Sequence, residues 1–263
     1  MEMTGTLRDA LFAEWTKLRS VSSNVWLLLA SVAVTVAVSG LTTSIEKCQV
    51  GCAADPAKLS LTGVQLGQAF VVIAAVLVVS GEYSSGMIRF TLAAIPRRSI
   101  MMVAKSAVIS VVVAMAGAVA VLGSVLAGQL FLPGNGFTAR NGAAPLSFGS
   151  GLMLRAAGGS VLYLALIALL SVGVAIALRD SALAMTVVLG LLYIVPVIGH
   201  VLLNHVWQYR IERFAPMNAG LAIQSTKDLS TLPIGPWAGL GVLAGWAAAS
   251  LIIGWLLLLW RDA

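Results

Sequence analysis

The chain has 263 residues, 59% of them hydrophobic and only 10% charged, with a net charge of +6. Soluble domains carry about 25% charged residues, so the composition excludes an ordinary soluble globular protein and points to an integral membrane protein. The basic residues are scattered in short stretches between apolar runs, which reads as topology signal and headgroup contact rather than as a nucleic-acid surface.

Six windows without Asp, Glu, Lys or Arg cover 20–45, 59–81, 106–139, 156–178, 181–209 and 229–260, each at least 23 residues long. A spanning helix needs about 20, whereas barrel strands would appear as alternating segments of about ten. The expected fold is an all-α membrane protein, a single transmembrane domain over 1–263. Its six spans fall at approximately 22–43, 61–81, 101–131, 153–178, 181–204 and 237–260. The third is closed by the turn signal at Pro133 and the sixth is preceded by Pro233 and Pro236.

In chain order, residues 6–19 come first. Leu7, Leu11, Trp15 and Leu18 repeat at helical spacing with Phe12 beside them, and Arg8, Asp9, Glu14 and Lys17 occupy the remaining positions. Such a helix lies in the headgroup plane, or else is a solvent-exposed helix start with one apolar face. Glu2, Asp9 and Glu14 make this segment too acidic for a signal-peptide n-region, so the first span is expected to stay attached. Cys48 and Cys52 follow that span and are the chain's two cysteines. They form either a disulfide on an oxidising face or two free thiols.

The stretch 81–105, GEYSSGMIRFTLAAIPRRSIMMVAK, places Glu82, Arg89, Arg97, Arg98 and Lys105 between two apolar runs. Ser84 or Ser85 can cap a short helix starting near Gly86, with Ile88, Leu92 and Ile95 as its apolar stripe. Pro96 stops it, and Arg97 and Arg98 follow where cations are favoured. Glu82, at the end of the second span, needs water or a basic partner. Further on, Gly117, Gly123 and Gly128, the pair Gly158 and Gly159, and the GxxxG step Gly241 and Gly245 suggest close helix approach. Pro196 suggests a kink in the fifth span. Residues 205–236, with Trp207 and Tyr209, read as interfacial or re-entrant helices.

Six spans put both termini on one side. That side holds nine Lys plus Arg against seven opposite, which favours cytoplasmic termini. No lysine follows a glycine as a phosphate-binding loop requires, so the chain is expected neither to bind ATP nor to be an enzyme. His200 and His205 are five apart, which is wrong for two ligands on one helical face. No metal or other cofactor is expected in this chain. The span interiors lack Asp, Glu, Lys and Arg, which argues against an ion-coupled carrier.

Three features carry a resemblance: EWTKLRS at 14–20, GEYSSGMIRFTLAAIPRR at 81–98 with Lys105 beyond it, and a sixth span ending in WRDA. Together, and over essentially the whole chain, they resemble the type 2 ABC-transporter permease family in the form common among actinobacteria. The resemblance implies a six-span permease domain with an N-terminal elbow helix (Trp15, Lys17, Arg19). It also implies a cytoplasmic coupling helix between the second and third spans, with Glu82, Tyr83, Arg89, Pro96, Arg97 and Arg98 in the coupling segment. Where the family often has Gly-Thr, this chain has Gly86-Met87. The implied partners are separate ATP-binding subunits, which hold ATP and magnesium, and a second permease subunit, identical or not, within a bacterial cell membrane. The implied cargo is amphipathic, peptide or drug-like. The residues leave a second class open: a non-transporting membrane anchor or sensor that recruits a cytoplasmic partner through the same loop, or a loop whose arginines hold lipid phosphates.

Overall fold

The computed structural model describes residues 2–48, 54–84, 86, 98–138, 141, 146, 149–202 and 204–260, and no strand occurs among them. Helix α1 covers Glu2–Ser20. An extended residue, Val21, turns the chain into α2, Ser22–Ile45. The short α3, Pro56–Ser60, and a turn lead into α4, Val64–Ser84. Helix α5 is Arg98–Phe131 and α6 is Gly151–Leu178. Helix α7, Ser181–Leu189, continues through a π turn, Gly190–Ile194, into α8, Val195–Leu202. The loop that follows holds α9, His205–Phe214, and α10, Pro216–Leu221. The last helix is α11, Pro236–Trp260.

Six stretches are long and apolar enough to cross a bilayer: Ser22–Ile45, Val64–Tyr83, Ser99–Phe131, Gly151–Leu178, Ser181–Gly199 and Pro236–Trp260. The protein is therefore an all-α, six-span membrane protein. In the fifth span the irregularity expected at Pro196 takes the form of the π turn just before it. Proline has no N–H for the ordinary ladder, and the preceding turn closes at five-residue spacing, with Val195 N–H on the Gly190 carbonyl.

Helix α6 is the hub, packed against α4, α5, α7 and α11. Its Tyr163, Leu164, Ile167 and Leu170 are fully enclosed. Helix α2 is built the other way round. Its buried residues are Asn24, Ser31, Thr35, Ser39 and Thr43, while Val25, Trp26, Leu29 and Leu41 point outward. Lipid is as apolar as leucine, so spans gain most by close fit and hydrogen bonds. The serines and threonines supply both. Ser31 Oγ donates to the Gly67 carbonyl at 3.0 Å, and Ser39 Oγ accepts the Gly63 N–H at 3.1 Å.

That contact needs glycine. A Cβ on Gly63 would strike the Thr35 carbonyl, and one on Gly67 would strike Thr35 Oγ1. By contrast, a Cβ on Gly241 or Gly245 meets nothing. Helix α11 instead packs through Gly239 against Ala219 and through Gly254 against Gly173. Gly67→Val is expected to lower stability by about 1–3 kcal/mol or more. Gly241→Val should change it by less than about 0.5 kcal/mol. Thermal unfolding in detergent micelles checks both.

Candidate functional site at the junction of α1, α4 and α5

Glu14 and Lys17 are three residues apart on α1 and share one helical face, with their charged atoms 3.3 Å apart. Glu82 sits two residues before the end of α4, and Lys105 lies about two turns inside α5. The fold brings the four together. Lys105 Nζ donates to Glu14 Oε2 at 2.7 Å and to Glu82 Oε1 at 2.9 Å. Lys17 Nζ donates to the same Glu82 oxygen at 2.9 Å.

Two carboxylates and two ammonium groups leave no net charge. Lys105 is 2% exposed, Glu14 3% and Glu82 8%, so the group has exchanged water for itself. Such an arrangement gains little over an apolar one, but removing one member strands the others in a medium of low dielectric. Glu82 Oε2 is buried and has no hydrogen-bond partner among the described residues. Lys17, at the rim, is partly exposed. Burial pulls its ammonium down, but the hydrogen bond to Glu82 and the charges of Glu14 and Glu82 outweigh that and hold it above the usual lysine value of 10.5. Because the folded value is raised, its contribution is complete below that pH and is lost only as pH rises through the folded value.

The turn between α6 and α7 reaches the same end. The Arg179 guanidinium lies 5.5 Å from the centre of the Tyr83 ring. Arg179 closes α6 in a left-handed conformation (φ 58°), with its N–H on the Ala175 carbonyl at 2.9 Å. Asp180 caps α7 by accepting the Leu183 N–H at 2.7 Å.

Of the residues singled out in the sequence, Glu82 and Lys17 are in the cluster and Tyr83 adjoins it. Arg98 opens α5, its side chain outside what the structure describes; Ser84 ends α4 and Gly86 is a bend with φ 71°, while residues 87–97 of the expected short helix, Arg89, Pro96 and Arg97 among them, lie outside the described residues. Trp15 and Arg19 are exposed on α1. Cys48 is disulfide-bonded, and Cys52 lies outside the described residues. The side chains of His200 and His205 lie outside them too, and among the described residues no group of His, Cys, Asp and Glu is arranged to hold a metal.

Sequence reasoning missed Glu14 and the inward position of Lys105. Glu14 faces the protein with Ala10, whereas Phe12 and Trp15 face outward, so the acid lies on the buried side of α1 and not on the polar side that helical spacing predicts. The available signal was Lys105 itself, a cation followed at once by the long apolar run of α5, which must find a carboxylate. Comparison with protein-family models finds no match, and comparison with curated proteins finds none.

Lys105→Met should destabilise the fold by about 3–5 kcal/mol, since it leaves two buried carboxylates facing each other. Adding Glu14→Gln should recover part of that loss. Lys17→Met, at the rim, should cost clearly less. Melting temperatures of the four proteins in one detergent measure the coupling.

Proposed function

We propose that this chain is the membrane-spanning permease subunit of an ATP-driven exporter of the type 2 ABC kind. The observation that carries this reading is the cluster Glu14–Lys17–Glu82–Lys105. It joins α1 to the end of α4 and the start of α5, the two helices between which the charged segment 85–97 is inserted. A push delivered to that segment would act on two spans and the elbow helix as one body, because separating them exposes charge to lipid. A chain without a nucleotide motif needs such a point of entry for energy supplied elsewhere.

In this reading the cluster end faces the cytoplasm of a bacterial cell, and Arg89, Arg97 and Arg98 meet separate ATP-binding subunits that hold ATP and magnesium. A second permease subunit completes the pathway for an amphipathic, peptide or drug-like cargo. Tyr83 and Arg179 extend the docking end to the α6–α7 turn, so that a third span feels the same movement.

The test is co-expression with a candidate ATP-binding subunit, followed by co-purification and reconstitution into vesicles. The wild type is expected to retain the ATPase and to support ATP-dependent efflux. Arg97→Ala with Arg98→Ala should lower both by roughly tenfold, about the loss of one charge-assisted contact, while membrane insertion is unchanged. Efflux that persists without any ATPase would overturn the proposal. Retention of the ATPase with no transport under any cargo would favour a recruiting anchor instead.

A further inference from the structure

We propose that the outward side of α1 is a binding site for anionic glycerophospholipid, with acyl chains in two grooves that flank Trp15 and phosphates against Arg8 and Arg19. The inference rests on membrane insertion alone and is independent of any transport activity.

Helix α1 has two committed faces. One, carrying Ala10 and Glu14, is closed against the bundle. The other carries Phe12, 72% exposed, and Trp15, 41% exposed. Under this second face run two apolar grooves. The first, about 790 Å³, is lined by Phe12 and Trp15 and by Ala107 and Val111 of α5, with Arg8 and Asp9 at its rim. The second, about 250 Å³, lies on the other side of Trp15, between Leu18, Leu28 and Val112, with Arg19 the one charged residue among the described residues that line it.

The walls identify the occupant. Val111 lies further into the span than Lys105, and it belongs to an exposed row on α5 with Val103, Met115, Val119 and Leu122. The grooves therefore open to the hydrocarbon, while both arginines stand at the helix that marks its edge. An apolar slot beneath an arginine matches an acyl chain beneath a phosphate, and guanidinium is the side chain best suited to phosphate oxygens. Arg8 and Arg19 are about three helical turns, roughly 16 Å, apart along α1. That is too far for one phosphate, so each arginine serves its own lipid. Asp9 beside Arg8 weakens the pull of the first rim for an anion. The Arg19 groove, with no acid among the described residues that line it, is the more selective of the two.

The full chain is placed in nanodiscs containing brominated phosphatidylglycerol or brominated phosphatidylcholine at equal mole fraction, and tryptophan quenching is compared with that of Trp15→Phe. The Trp15-dependent quenching is expected to favour phosphatidylglycerol, by about fivefold in apparent affinity per arginine. Arg19→Gln should remove more of that preference than Arg8→Gln, and the double variant should abolish it. Native mass spectrometry of the same proteins should show phosphatidylglycerol adducts retained by the wild type and lost from the double variant. Lys47→Gln with Lys58→Gln, remote from the grooves, should leave both readouts unchanged. Equal quenching by the two lipids, or a preference that survives the double arginine variant, would overturn the proposal.

Discussion

The Lys105 ammonium is the constraint around which one end of this bundle is arranged. It is 2% exposed, in a helix that carries no other charge from Ser99 to Phe131. A lone cation at the centre of a spanning helix costs about 2.5–3.5 kcal/mol even on the lenient insertion scale. Lys105 is tolerated because Glu14 and Glu82 arrive from two different helices at 2.7 and 2.9 Å. The requirement is mutual: Lys17 meets both carboxylates from the rim, and Lys105 is their buried partner. Three chain segments that are far apart in sequence are therefore fixed at one point, and none can leave without stranding a charge.

Elsewhere the bundle is held by weaker means. Hydrophobic burial does not distinguish a helix neighbour from a lipid tail, so specificity must come from shape and from polar groups. Helix α2 illustrates this. Its apolar side chains face outward, and its polar ladder (Ser31, Thr35, Ser39, Thr43) faces α4 and α5 at a repeat of four. Thr35 and Thr43 also bond back to the carbonyls of Ser31 and Ser39, at 2.7 and 2.8 Å. Their hydroxyl protons are thus satisfied within the helix, and the ladder costs little in lipid. At the opposite end of α4, Asp55 serves as a cap for α3 and as an acceptor for Thr226 Oγ1 at 2.6 Å and Lys227 N–H at 3.0 Å. It ties the first interhelical connection to the last.

The spans were legible in the sequence because their signal is local: a run of twenty apolar residues has one stable form in a bilayer. What the sequence concealed was orientation about each helix axis. Trp15 and Leu11 look like one stripe with Leu7 and Leu18, yet the bundle takes the face of Ala10 and Glu14 and leaves Trp15 to the outside. A soluble amphipathic helix buries its apolar face, and that rule fails where the surroundings are themselves apolar. The same inversion explains α2, whose buried face is its polar one, and the GxxxG of α11, where Gly239 and Gly254 make the contacts rather than Gly241 and Gly245. Pairings such as Lys105 with Glu14, 91 residues away, depend on three helices meeting and have no periodic trace.

Helix α4 is where these interactions accumulate. Near its start, the Gln65 carbonyl accepts the Tyr193 hydroxyl from the π turn of the fifth span, and Gln68 accepts the Tyr163 hydroxyl from α6. Gly67 accepts Ser31 of α2, and Glu82 near the other end accepts Lys17 and Lys105. From Gln65 to Glu82 is about 26 Å at 1.5 Å per residue, most of the thickness of a bilayer core. Helix α4 is thus hydrogen-bonded to α2, to α6 and to the π turn of the fifth span near its start, and to α1 and α5 near its end. The partner it grips near its start is itself irregular: the π turn at Gly190–Ile194 carries Tyr193, and Pro196 leaves the ladder there one donor short. Helix α4 therefore meets three buried charges at one end and, at the other, a turn of the fifth span whose backbone ladder departs from four-residue spacing.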